Sequence, residues 1–458
     1  MELRRVVIVG VVIVVLTAAG ITFWQLSPQV ESFSPADGTR DVRPTSQVKL
    51  TFSLAMQPET VEARLTFQPS REGEYSWEGN TLTFTPLQPW SAGEQVTVSL
   101  ARGARSTLGL AVPRALAWSF TIAQVRLAYL WPADGSAEIY ALDLLTHESE
   151  QLTNTAGVVD FSVAPDSTTL FYSAANDLGG SELWSLDYAS GEGALVLDCG
   201  RDLCSSPQLS PDGGQLAYER TPTASGGQAT HMQVWLLQLE RGETMLVGQP
   251  DHQTRAPAWS PTGWLAVYDM DAQAFLLVDP ATDETIEAPN QAGEAGNWSS
   301  DGRLFVFPEL YAVDALTSAG VLGGSGQAVL SSHLLAYNLL SGQVEDLTFF
   351  DYLEDTSPTF SPDGELLAFA RKYLDEQRWT LGRQLWLMSA LGTDLRMLTD
   401  SPDYEHTAFA WHPDGGRIAY VRFNEAAIID PPELWVINAD GSGALRMMIG
   451  AYSPQWLP

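Results

Sequence analysis

The residues of this chain that could do chemistry are six histidines, two cysteines and a scatter of carboxylates, and their spacing favours no reaction. His147, His231, His252, His333, His406 and His412 are dispersed, without the short paired intervals that gather zinc ligands, so neither a metal site nor a metal cofactor is expected. A serine hydrolase needs its nucleophile on a G-x-S-x-G elbow. The nearest string, Gly-Gly-Ser-Gly-Gln at 323–327, ends in glutamine inside a long insertion, and the repeats run to the last residue, which leaves no hydrolase domain to expect. Asp400, Asp403 and Glu405 read as solvated loop residues. Asp212, Asp363 and Asp414 each stand in a Ser-Pro-Asp-Gly type of turn, where a carboxylate is expected to accept local backbone N–H groups rather than to bind calcium. His412 occupies the Ser position of its turn, so a turn role is expected of it too. Cys199 and Cys204, in Cys-Gly-Arg-Asp-Leu-Cys, have no histidine nearby; an oxidising compartment would pair them as a short disulfide, and free thiols stay open. No catalytic and no cofactor-binding residue is assigned.

Those turns recur, and their recurrence defines the elements that must position any site. The segments VAPDSTTLFYS, LSPDGGQLAYE, WSPTGWLAVYD, WSSDGRLFVFP, FSPDGELLAFA and WHPDGGRIAYV are six copies of one strand–turn–strand unit, and SPQWLP at the C-terminus is a half copy. The Pro position falls at Pro165, Pro211, Pro261, Ser300, Pro362, Pro413 and Pro458, with intervals of 46, 50, 39, 62, 51 and 45 residues, the length of a four-stranded propeller blade. A third strand follows each full copy, and another follows residues 126–131, placing Tyr140, Trp184, Trp235, Phe275, Leu335, Trp386 and Trp435 at one equivalent position. One such sheet cannot bury two apolar faces alone, so neighbouring sheets must stack around an axis, and the recurrent aromatic is expected to pack between them. Residues 126–131 read as a second strand lacking its first, and 453–458 as a first strand lacking its second. Pairing them would close the ring and remove the open edges. Seven blades are expected; six or eight stay open because residues 311–330 add an insertion to the fifth.

Composition and the N-terminus place the protein. With 56 acidic against 24 basic residues the net charge is −32, a field that repels phosphate backbones and excludes nucleic acid as a partner. After Arg4 and Arg5, residues 6–24 form a charge-free, mainly apolar run long enough to cross a bilayer as one helix. The positive-inside rule puts Met1 in the cytoplasm and the bulk of the chain outside, as a single-pass protein of the cell membrane. A cleaved signal peptide is the competing reading, since residues 16–20 are small enough for a signal peptidase.

Residues 27–123 form a separate module of period-two strands at 48–53, 81–86, 95–100 and 116–122, with turn residues between them and no helical pattern, which reads as a small β-sandwich. SPADGTRDV, LTFSLAMQPETV, LTFTPLQPWSAGEQVTVSL and WSFTI resemble the SbsA-type Ig-like domain of bacterial cell-surface proteins. In residues 124–458, LSPDGGQLAYE, FSPDGELLAFA, HPDGGRIAYV and ELWVINADGSG resemble the WD-repeat-like propellers of the TolB type, also found at the N-termini of prolyl oligopeptidase relatives. The organisation expected is therefore all-β beyond one N-terminal helix: cytoplasmic stub and transmembrane helix (1–26), read from the apolar run, Ig-like domain (27–123) and β-propeller (124–458).

Two functions from different classes follow. In the first, a non-catalytic propeller in the cell envelope or outside the cell binds a protein or peptide on one open face, as the TolB resemblance implies, with the insertion at 311–330 as the expected contact loop. In the second, the ring carries a site that processes a glycan or peptide, which would require acids, bases or a metal converging on a central channel whose lining is expected to be mainly apolar or small.

Overall fold

The computed structural model of the chain describes residues 27–457 except positions 40, 41, 43–45, 89, 92, 123, 156, 166, 167, 189, 224–229, 314–328 and 351. The membrane anchor expected over residues 6–24, the alternative cleavage site, the string at 323–327 and residues 314–328 of the contact loop expected at 311–330 lie outside the described residues. Among those described, no helix is long and apolar enough to cross a membrane. The chain divides into two compact units between Val125 and Arg126.

In the first unit, one sheet runs in the order Val30–Ser34, Val48–Phe52, Thr81–Pro86, Gly73–Glu78, and a second in the order Leu65–Gln68, Gln95–Leu100, Leu116–Thr121. Period-two patterning decides which face each strand buries. Leu82 and Phe84 of one sheet and Val96, Val98 and Leu100 of the other are wholly enclosed, each contributing on the order of 1.5–3 kcal/mol. Trp90 closes the core edge-on to Phe120 at 6.0 Å and donates its indole hydrogen to Ser46 O at 2.9 Å. The sequence pattern held no helix here, yet Pro58–Glu62 forms one short helix. Pro58 enters its first turn with φ already set, Glu59 suits the positive end of the backbone dipoles, and the Thr60 hydroxyl donates back to Gln57 O.

The second unit is built of four-stranded antiparallel meanders, seven among the described residues. Their first strands are Tyr452–Leu457, Val158–Val163, Leu203–Leu209, Thr254–Trp259, Asn297–Trp298, Leu353–Phe360 and Tyr404–Trp411. Tyr452–Leu457, the last strand of the chain, pairs with Arg126–Trp131, the first of the unit, in the register Trp456 to Leu127. Each first strand neighbours the next, and Tyr452–Leu457 neighbours both Tyr404–Trp411 and Val158–Val163, so the set is cyclic. The fifth and sixth meanders are joined by one parallel pairing of Ser332 with Glu354.

Packing explains the burial gradient across each sheet. Second strands are sandwiched between neighbours; Leu265–Asp269 is buried at every position, whereas the outer strand Glu192–Asp198 is largely exposed. The recurrent aromatics stand in cross-strand register: Tyr129 with Tyr140, Tyr172 with Trp184, Tyr218 with Trp235, Phe369 with Trp386 and Tyr420 with Trp435. Tyr420 and Trp435 pack against Ala368, Ala370, Leu385 and Leu387 of the preceding sheet, so the aromatics fill the space between blades.

The turns follow their sequence. Asp212 accepts from Ser210 Oγ at 2.6 Å and Gly214 N at 3.0 Å, Asp363 from Glu365 N at 3.0 Å, and Asp414 from Gly416 N at 2.8 Å. At Asp212 and Asp363 these bonds, led by the serine hydroxyl, hold the carboxyl below its ordinary value. Gly213, Gly364 and Gly415 lie at φ between 73° and 75°, a conformation that costs glycine little. His412 stands where the other turns have serine, with Nδ1 2.6 Å from Asp414 Oδ1.

Candidate functional site

The first strands form the inner ring of the propeller, and the position five residues before the Pro position recurs with each of them. Asp160 holds it in the first strand Val158–Val163; Ser206, Ala256, Ser357, Ala408 and Ser453 hold it in five others, and Ala295 holds it just before Asn297–Trp298. Ser206, Ala256, Ser357, Ala408 and Ser453 adopt φ between 51° and 54°, and in each of these strands the pairing with the second strand shifts register at that point. Such bulges withdraw backbone groups from the ladder and re-aim them. The Ala256 N–H, released in this way, donates to Glu219 Oε1 at 2.8 Å.

A cavity of about 440 Å³ opens along the first strands of the second to fifth meanders, with Asp160, Ser206, Gln208, Ala256, Asn297 and Trp298 in its wall. Gly296 also lines it, and a Cβ there would stand 2.5 Å from the Phe305 ring. Asp160 Oδ1 accepts from Phe161 N at 2.7 Å. Glu219 Oε2 accepts from Ser205 Oγ at 3.2 Å and Ser206 Oγ at 3.0 Å. Desolvation pushes the Asp160 carboxyl up; the Phe161 N–H and Ser206 oppose the rise, and the charge of Glu219 adds to it. Both side chains are half-buried, and among the described residues neither has an ion-pair partner within 4 Å.

The charges at the first-strand N-terminal ends of neighbouring blades are, by contrast, paired. Arg383 bridges Glu354 at 2.9 Å and Glu405 at 3.0 Å, and Lys372 stands 3.4 Å from Glu354. Glu405 is therefore half-buried in an ion-pair network rather than the solvated loop residue its sequence context suggests. Glu294 is drawn into the same field: desolvation raises its carboxyl, Arg383 and Arg255 oppose this, and Glu354 and Glu405 reinforce it. Arg255 donates to Gly293 O at 2.6 Å and lies over the Tyr268 ring at 5.6 Å. Behind this layer, Asp355 and Arg371 form a two-bond ion pair at 2.6 Å for each bond, 0% and 1% exposed.

The structure does not gather the six histidines. His252 bonds Asp269 at 2.7 Å, His333 bonds Asp346 at 2.8 Å, His406 points Nδ1 at Arg383 O and Tyr404 O, and His147 and His231 are exposed. Among the described residues no group of three or more His, Cys, Asp or Glu is placed to hold a metal ion. Cys199 and Cys204 are joined as a disulfide between the second and third meanders, and both are buried. Asp160 and Glu219 are the site residues that sequence reasoning missed. The signal was there: once the repeats are aligned five residues before the Pro position, Asp160 is the one acid among small residues.

The fold defines the class, an Ig-like domain followed by a β-propeller. Residues 25–122 match the family model of a bacterial Ig-like domain. Solved structures similar to the chain include TolB from Acinetobacter baumannii, at 11% identity over 94% of this chain and 99% of that one, TM-score 0.45. Another is the β-propeller domain of the Trilobed protease from Pyrococcus furiosus, at 11% identity over 78% and 93%, TM-score 0.46. A third is the periplasmic gluconolactonase of Pseudomonas aeruginosa, at 16% identity over 73% and 99%, TM-score 0.46. No protein of curated function matches the sequence.

Proposed function

We propose that this chain is an extracytoplasmic protein of the cell envelope, held to the membrane by its own N-terminal segment, whose seven-bladed propeller binds a protein or peptide partner through the central channel. The observation that carries this reading is the cavity of about 440 Å³ on the inner strands, walled by small residues, by Trp259 and Trp298 and by the polar groups of Asp160, Ser206, Gln208 and Asn297. Such a channel admits an extended segment and offers it hydrogen-bond partners without a large rearrangement. Seven blades rest on the cyclic order of the first strands, and the outside location on Arg4 and Arg5 before an apolar run and on the disulfide. A second reading, a site that processes a glycan or peptide, is favoured by one observation. Asp160 lines the cavity with its carboxyl raised by desolvation, and a carboxyl raised in this way is what a general acid uses.

The test is capture of envelope proteins by the full chain, solubilised from its own membrane, beside an Ala295→Trp variant that plugs the channel. A protein retained by the wild type and lost with the plug is the expected result. Equal retention by both would remove the channel from the account, and turnover of a bound glycan or peptide would favour the second reading.

A further inference from the structure

We propose that His406 makes one seam of the ring acid-sensitive: uptake of a proton at its enclosed Nε2 unlocks the sixth meander from the seventh and frees the ion pairs that Arg383 holds there. The device belongs to the ring itself and stands whether or not the channel binds a partner.

Geometry fixes where the proton must go. His406 lies in the inner strand Tyr404–Trp411 and is 0% exposed. Its Nδ1 stands 2.8 Å from Arg383 O and 3.1 Å from Tyr404 O. Both carbonyls can only accept, so Nδ1 carries the ring hydrogen and Nε2 the lone pair. Nε2 is buried and has no hydrogen-bond partner among the described residues. A proton arriving there would create a charged donor with nothing to accept from it.

The surrounding charges give no relief. From the second strand of the same meander, the Tyr420 ring lies 5.6 Å away and Arg422 opposes a second positive charge; Arg422 is itself held by Glu433 at 2.8 Å. On its own strand Tyr404 offers its carbonyl, and Glu405 is taken by Arg383. The strands of the sixth meander packed alongside bring Glu354, Asp355, Arg371 and Lys372, already paired with Arg383 or with one another, and the last strand brings Tyr452. Burial is thus the main force holding the imidazole neutral, Arg422 adds to it, and the two carbonyls oppose it.

The same residue pins the seam. Arg383 O accepts the His406 backbone N–H at 3.0 Å as well as the ring, and Glu405 accepts Arg383 N at 2.8 Å. Gln384 donates to Ser401 O at 2.9 Å and accepts from Ser401 N at 2.7 Å. A Cβ at Gly382 would collide with the Tyr404 carbonyl, so the two segments meet backbone to backbone. The Arg383 side chain, carried by this seam, joins Glu354 to Glu405 and acts on Glu294, the neighbour of Ala295 in the cavity wall.

Opening the seam returns the imidazole to its ordinary value of 6.5, so the open form binds the proton more tightly than the closed one. The opening equilibrium is then flat above pH 6.5 and rises as pH falls below it. Hydrogen exchange of the solubilised full chain, read by mass spectrometry and corrected for the intrinsic rate at each pH, measures this directly. Between pH 6.0 and 5.0, where carboxylates stay ionised, protection over residues 381–385 and 402–408 should fall about sevenfold, while Thr254–Trp259 across the ring stays unchanged. His406→Gln, which keeps a donor for the two carbonyls and cannot charge, should abolish the fall; circular dichroism establishes that it is folded, and His406→Asn serves if it is not. In the wild type alone, no fall at the seam, or a fall shared equally by Thr254–Trp259, would overturn the proposal. A folded variant with the wild-type fall would overturn it as well.

Discussion

The indole Nε1 of Trp456 donates a hydrogen bond to the backbone carbonyl of Ala410 at 2.9 Å, tying the last strand of the chain to the first strand of the blade before it. The same bond recurs from Trp411 to Thr359, from Trp298 to Ala258 and from Trp259 to Gln208, each at 3.0 Å. Gln455 extends the seam on the other side of the closure, donating to Phe161 O at 2.7 Å and accepting from Val163 N at 2.9 Å. Ring closure is thus stitched by side chains as well as by strand pairing.

Replacing Trp456 by Phe removes the bond and keeps most of the ring. The variant should lose about 1 kcal/mol, the net worth of one hydrogen bond, while Trp456→Ala should lose about 3–5 kcal/mol through the cavity left behind. Urea denaturation midpoints measure both. A Phe variant as stable as the wild type would show that the indole bond contributes nothing to closure.

The sequence carried these tryptophans in plain view, two residues before the Pro position, yet the role of joining blades fell first to the third-strand aromatics. Both sets do it, by different means: Trp435 by packing and Trp411 by packing plus a directed bond. Repeat spacing exposes periodic apolar positions, whereas a carbonyl acceptor on a neighbouring blade has no residue type and leaves no mark in a sequence. The same reason hid Glu219, whose partners are a backbone N–H and two serines from other strands. The sandwich strands at 81–86 and 95–100 were legible because alternation alone places them. The short helix Pro58–Glu62 was not, since five residues carry no helical period.

Asp355 and Arg371 are both fully enclosed, so removing one leaves the other charge without compensation. Asp355→Ala should cost about 3–5 kcal/mol, and the double change Asp355→Leu with Arg371→Met much less. Chemical denaturation of the single and double variants decides it; a double variant worse than the single would contradict the reading.

Asp160 should act on stability in the opposite sense to a paired carboxylate. Its folded-state value is raised, so the folded protein binds the proton more tightly than the unfolded chain does. The resulting penalty is absent below the ordinary value of 3.8, grows as pH rises through the folded value and is complete above it. Asp160→Asn, which keeps an acceptor for the Phe161 N–H, should therefore melt above the wild type at pH 7, and the difference should shrink towards pH 4. A wild type that melts higher at neutral pH would contradict this.

His406 is 0% exposed, and burial holds its imidazole down at about 4, against 6.5 for the free side chain. Its neutral form is the stable one, so the contribution is whole above pH 6.5 and is lost as pH falls through that value towards 4. The loss amounts to about 3 kcal/mol across the window. His406→Gln should flatten the stability profile between those limits. An unchanged slope in the variant would assign the acid sensitivity to other groups.

The most direct test of channel binding is photo-crosslinking in intact cells, with a benzophenone side chain placed at Ala295 in the channel and, in a separate variant, at Leu340 on an exposed turn. The account predicts a discrete adduct from Ala295 and none of the same mass from Leu340. Adducts indistinguishable between the two positions, or none from Ala295 while the protein is folded and present in the envelope, would contradict it.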